Sequence, residues 1–172
     1  MQHTSHRTAL LILLLVSLLW MNTRGQDSTS LRIEKIRMEC ERINKSIPKF
    51  KVVEEPVTGQ STEGGELKKF FDGTTIRKAT LTLYGETGQL LSEYYFENSD
   101  LIFVSETAIH YKAAIYMGKT EVEREEEDKF YFSNQKLALW VDHSGIPKDP
   151  VLYPEKEKEF LSDLKNIINK VK

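Results

Sequence analysis

At 172 residues, with 40% hydrophobic side chains, the chain is long enough for one domain with a sizeable core. Its 24 basic and 26 acidic residues give a formal charge of −2, which argues against a nucleic-acid partner, since that would require a basic stripe. The single cysteine, Cys40, excludes an internal disulfide, so packing rather than a disulfide framework must hold the fold.

The amino end reads as a secretory signal peptide. A short polar stretch carrying Arg7 precedes the apolar run from Ala9 to Trp20, and Asn22, Thr23 and Arg24 end it. The run is shorter than the roughly 20 apolar residues a spanning helix needs. Thr23 and Gly25 suit cleavage after Gly25, with Gln26 as the second choice. Loss of residues 1–25 removes Arg7 and Arg24, so 22 basic residues face 26 acidic ones, and His110 and His143 are the histidines that remain. The mature chain, 26–172, is then expected to be a single exported domain without stable membrane insertion.

Ile33, Ile36, Cys40, Ile43 and Ile47 recur at spacings of three and four, which predicts a first helix over 28–47 with Cys40 as a small buried hydrophobe in its stripe. Pro48 ends it. Phe50, Val52 and Val53 suit a short strand. Pro56 and the polar Thr58–Glu66 segment then predict a flexible surface loop at about 56–66. Gly64-Gly65 lacks the following Gly-Lys-Ser/Thr of a phosphate loop. Leu67, Phe70 and Phe71 return to the core before Asp72-Gly73 turns the chain.

From Thr74 the period becomes two. Ala79, Leu81 and Leu83 share one face, and a turn at Gly85–Gly88 sets Tyr84 opposite Gln89 and Ala79 opposite Tyr94. A second turn at Glu97–Asp100 sets Phe96 opposite Leu101, so Tyr94, Phe96, Leu101 and Phe103 are expected on one face. Ser105–His110 continues this strand, and Ala113, Ile115 and Met117 suggest another that Gly118 ends. After the acidic run Glu121–Asp128, a turn at Ser133–Lys136 groups Phe130, Phe132, Leu137, Leu139 and Val141. His143–Pro150 is a loop. Pro154 opens a last helix whose apolar face is Phe160, Leu161, Leu164, Ile167, Ile168 and Val171. The expected fold is α+β: an antiparallel β-meander of about five or six strands packed against N-terminal and C-terminal amphipathic helices, both covering the Phe96/Phe132 face.

The same register directs Tyr95, Ile102, Val104, Tyr131, Ala138 and Trp140 to the other face. A solvated sheet face should alternate to polar residues, and this one does so only in part. It fits a surface for a protein partner or self-association, a small-ligand cleft, a face covered by 48–71 or 105–120, or plain tyrosine-rich strand surface. Tyr95, Ile102, Val104, Tyr131 and Trp140 are therefore the candidate binding residues. The acidic run lacks calcium-loop spacing and reads as a solvated edge strand. Two histidines are too few for a zinc cluster, so no metal or cofactor is expected. Asn44-Lys45-Ser46 is a glycosylation sequon near a helix end. The expected function is a non-enzymatic, secreted or periplasmic binding or protein-interaction module. The alternative is a small periplasmic enzyme, a hydrolase for instance, in which His143 or His110 works with a carboxylate.

The paired units Tyr94–Val104 and Phe130–Trp140 resemble the "tyrosine-tyrosine-phenylalanine, turn, leucine-isoleucine-phenylalanine" hairpins of secreted proteins of Bacteroidetes-like bacteria, which also begin with a short helix after the signal peptide. They are similar, more remotely, to the hairpins of membrane-occupation-and-recognition-nexus-like repeats, from which Ser99 and Gln135 depart by replacing the turn glycine. The resemblance covers about 76–142. It implies an antiparallel meander in an exported protein and carries no catalytic residue onto this chain.

Overall fold

In the computed structural model, which describes residues 29–118 and 121–169, the period-two segments form one seven-stranded antiparallel sheet in simple sequential order. The strands are β1 (Lys51–Val57), β2 (Gly65–Asp72), β3 (Thr75–Gly85), β4 (Gly88–Glu97), β5 (Asp100–Tyr111), β6 (Val122–Ser133) and β7 (Lys136–Val141). Helix α1 covers residues 29–46 and helix α2 covers Tyr153–Asn169. The chain divides into two compact units, Met1–Met38 and Glu39–Lys172. In the described part of the first, Ile36 is buried and Arg37 lies 3.9 Å from Glu34 one turn away. The second unit holds the sheet, α2 and the end of α1. The expected signal peptide, and Val171 of the expected helix face, lie outside the described residues.

The fold is an α+β antiparallel meander as expected, with seven strands rather than five or six. Two of the differences arise at β1 and in the β5–β6 connection. Pro56 was expected to end the first strand, yet β1 runs through it to Val57. The reason is position: β1 is an edge strand, where a missing N–H need not break a ladder. The polar connection thus narrows to 58–64. Conversely, Ala113–Met117 is no strand. Tyr111 already pairs with Val122, so the segment is the connection of the β5–β6 hairpin, and Ile115–Met117 curls into a 3-10 turn closed by Gly118 at φ 79°.

The β3–β4 register is the expected one, with Ala79 opposite Tyr94 and Tyr84 opposite Gln89. The next hairpins obey expectation only beside their turns. Phe96 faces Leu101 and Phe132 faces Leu137, but the register then slips by one residue in each. Beyond the slip Tyr94 opposes Val104, Tyr95 opposes Phe103, and Phe130 opposes Trp140. Ile102 and Ala138 are the extra residues of two β-bulges. Each bulge follows a two-residue turn in which both central residues take positive φ, Asn98 (50°) with Ser99 (70°) and Asn134 (52°) with Gln135 (61°). A bulge reverses inside and outside, so Val104 and Trp140 move to the core face while Phe103 and Leu139 leave it.

Phe160 of α2, fully buried, is the hub of that core. Its ring lies 6.2 Å from Tyr94, 4.7 Å from Phe130 and 5.9 Å from Phe132, each in an edge-on arrangement. Burial of each such ring contributes about 1.5–3 kcal/mol. The helices do not share this face. The end of α1 packs on the opposite one, where Asn44 Oδ1 accepts from Lys78 Nζ at 3.0 Å and Tyr95 Oη at 3.2 Å, and Glu39 pairs with Arg77 at 2.5 Å. Because Tyr94 and Tyr95 are neighbours on one strand, contact of one with α2 and of the other with Asn44 puts α2 and the end of α1 on opposite faces.

Candidate functional site

The candidate residues do not form one surface. Val104 and Trp140 lie on the α2 side, Val104 in the core and Trp140 packed 5.2 Å from the Phe130 ring. Trp140 Nε1 donates to Asp128 Oδ2 at 2.8 Å, which satisfies its polar edge. Tyr95 and Tyr131 lie on the face away from α2 as expected, and Tyr95, Ile102 and Tyr131 are only 3%, 6% and 3% exposed. Tyr95, Phe103 and Tyr131 form a row of tilted rings with centroids 5.7 and 5.0 Å apart. Among them only Phe103 is partly exposed. Tyr95, Ile102, Val104 and Tyr131 are buried and Trp140 is partly exposed, so the five candidates do not present a continuous open patch in this conformation.

Beneath the end of α1 lies a polar cluster. Lys78 Nζ is 2.5 Å from Glu93 Oε1, donates to Asn44 Oδ1 and lies 2.9 Å from Tyr95 Oη. Burial pulls the Lys78 ammonium down, but Glu93 and Tyr95 outweigh it, so Lys78 holds its proton above the ordinary lysine range. Cys40, buried as expected, has its thiol pushed up to about 12, first by burial and then by Glu39. It is therefore an inert thiol rather than a nucleophile.

A second polar cluster lies beneath α2. Tyr94 Oη donates to Asp163 Oδ2 at 2.9 Å, and Lys156 Nζ lies 2.7 Å from Glu106 Oε2 and 3.0 Å from Glu159 Oε1. Burial raises the carboxyl groups of Glu106 and Asp163 and drives the Tyr94 hydroxyl well up. Burial opposes charge on Lys156 too, but Glu106 and Glu159 raise it on balance. Asp163 also borders a cavity of about 100 Å³ with Val57, Leu67, Leu81 and Ile167. The arrangement attaches a helix to a sheet.

The histidines of the enzyme alternative are separated. His110 Nε2 lies 3.8 Å from Glu126 Oε2, and His143 Nδ1 lies 3.8 Å from Asp128 Oδ1, both beyond hydrogen-bond reach. Asp128 is already engaged by Trp140 Nε1 and the His143 backbone N–H, which makes it a turn anchor. Asp142 likewise accepts from the N–H groups of Ser144 and Ile146. Its carboxyl is held below the usual range, chiefly by Lys148. Among the described residues no group of three or more histidine, cysteine or acidic side chains is placed to hold a metal ion. No described helix is long and apolar enough to cross a membrane.

An open concavity lies at the end of the sheet that carries the β3–β4 turn. A groove of about 350 Å³ has Leu83, Leu90 and Ala108 in its lining, with Ser61, Thr62, the 84–89 turn and His110 around them. Leu83, Leu90 and Ala108 stand side by side on three adjacent strands. Gly88 permits the close approach here, because a Cβ on it would lie 2.3 Å from the Ile109 carbonyl oxygen. The 3-10 turn docks at the same end, its Ile115 N–H donating to Glu86 O at 2.8 Å. Tyr116 and Met117 project from that turn, 79% and 68% exposed. Sequence reasoning missed this site because exposure near a strand end is not encoded in a period. The one available signal was a cluster of apolar letters, Ile115-Tyr116-Met117, immediately before a glycine. Comparison with protein-family models, curated proteins and solved structures finds no match for the chain.

Proposed function

We propose that the chain is one of the exported hairpin proteins it resembles and acts as a non-enzymatic protein-interaction module, which receives apolar side chains of a protein partner at the β3–β4 end of the sheet. The observation that carries this reading is the juxtaposition of the 350 Å³ groove with the exposed Tyr116 and Met117. Aromatic residues and methionine are enriched in interface cores, and a groove in this size range can take one or two large side chains. The sheet fixes the groove floor, while the 3-10 turn presents the anchors beside it. Export rests on the amino-terminal sequence, and a periplasmic or extracellular location follows from it.

The test uses a displayed random-peptide library selected against the immobilised mature protein. Ala108→Arg fills the groove and Tyr116→Ser removes an anchor, and both positions lie away from the Phe160 core. Peptides that bind the parent and lose binding to both variants, with thermal unfolding unchanged, support the reading. Failure to enrich any peptide, or equal binding to the parent and both variants, overturns it.

A further inference from the structure

Around Lys78 Nζ the fold gathers the groups that amide formation between two side chains requires. Asn44 on α1 supplies a carboxamide whose oxygen is 3.0 Å away, and Glu93 on β4 supplies a carboxylate at 2.5 Å. Tyr95 supplies a hydroxyl that lies 2.9 Å from Nζ, 3.2 Å from Asn44 Oδ1 and 3.3 Å from Glu93 Oε2. Lys78 and Tyr95 are buried, whereas Asn44 is solvent-exposed. We propose that this cluster is a self-modification site, in which Lys78 Nζ and Asn44 Cγ become joined by an isopeptide bond that ties α1 to β3.

The chemistry balances without an outside reagent. Glu93 removes one proton from the Lys78 ammonium, and the freed lone pair attacks Asn44 Cγ. Tyr95 Oη donates to the amide oxygen as it gains negative charge, the role of an oxyanion-hole donor. Glu93 then shuttles a proton from the attacking nitrogen to Nδ2, the Cγ–Nδ2 bond breaks, and nitrogen leaves as ammonium. One N–C bond forms, one breaks, and nothing is oxidised or reduced. Holding amine and amide in contact supplies the proximity such a slow reaction needs. Because Lys78 holds its proton firmly, the neutral amine is scarce near neutral pH, and the reaction accelerates as pH rises. The neighbouring Cys40 stays protonated over most of this range and does not compete. In a chain that cannot form an internal disulfide, the link is a covalent staple by another route. It does not depend on the groove being a binding site.

Tandem mass spectrometry of proteolytic peptides from the purified chain tests this after incubation at neutral and alkaline pH. Peptide-level data are required because an amino-terminal Gln26 also loses ammonia when it cyclises. The expected result is a branched peptide that joins Asn44 to Lys78 with loss of one ammonia, formed faster at higher pH. The exposed substitution Asn44→Ala and the charge-keeping Lys78→Arg abolish it, and Glu93→Gln slows it about a hundredfold with circular dichroism unchanged. Linear, unmodified Asn44 and Lys78 peptides after prolonged alkaline incubation overturn the proposal. So does hydrolysis of the Asn44 amide without a branched product.

Discussion

Lys69 shows how little a single letter reveals about its surroundings. It stands next in line to Leu67 on the same face of β2, fully buried, between Val53 and Ala79 of the neighbouring strands. Its Nζ lies 2.7 Å from Glu55 Oε1, an ion-pair contact that lacks hydrogen-bond alignment. A buried charge with one imperfect partner depends heavily on that partner. Glu55→Gln should therefore lower stability by about 3 kcal/mol in urea unfolding, whereas Lys69→Met, which removes the charge itself, should be neutral or stabilising. The carboxyls of Glu106 and Asp163 point to a second residue-scale outcome. Burial raises both above their ordinary values, so the stability that protonation contributes is complete below the ordinary carboxylate range and is lost as pH rises through the raised values. Glu39 and Glu127 are shifted the other way and act below that range. Melting temperature should fall as pH rises above about 4 to 5, and more gently in Asp163→Asn, which keeps an acceptor for Tyr94 Oη but no longer titrates.

The element that sequence reasoning read best and worst is the hairpin. Beside each turn the pairing was legible, since Phe96 must face Leu101 once Glu97–Asp100 is the turn. One residue further on it was not, because a bulge leaves no mark in an alternating string: Ile102 and Ala138 look like ordinary strand residues. The turns themselves carry strain, with four non-glycine residues in the left-handed region. Ser99→Gly should stabilise the β4–β5 hairpin by about 1 kcal/mol, since glycine adopts this φ without a Cβ clash. Chemical denaturation of the single variant checks it, and an unchanged midpoint would show that the turn is already relaxed.

For the whole molecule, the unprotected feature is the amino half of β6. Val122–Asp128 pairs with β5, but the described β7 pairing begins only at Lys129, so one side of this half has no strand neighbour among the described residues. Its run of Glu and Asp was read from the sequence as a solvated edge, and the pairing agrees with that reading. Charge on an open edge discourages pairing with another chain. Replacing Glu123 and Glu125 by threonine should promote self-association, seen as a concentration-dependent rise in mass by light scattering, while the parent stays at one mass. The other edge of the sheet, β1, carries Pro56, and β7 has its Leu137 N–H taken by Glu157 of α2 at 2.7 Å.

The sequence by itself determined the local periods: a helix at each end, the alternation of β3 and β4, the turns beside Phe96 and Phe132, the β3–β4 register and the burial of Cys40, Tyr94, Phe96, Phe130, Phe132 and Phe160. Each depends on spacing within a short window, where backbone geometry dictates which side chains share a face. Tertiary structure alone decided the rest. The bulges turned Val104 and Trp140 inward, the end of α1 settled on the face opposite α2, and Tyr95, Ile102 and Tyr131 were covered. It also left Leu83, Leu90 and Ala108 lining an open groove and brought Asn44 and Glu93 to Lys78. These outcomes depend on which surfaces far apart in the chain compete to cover one another, and no window of neighbouring letters encodes that competition.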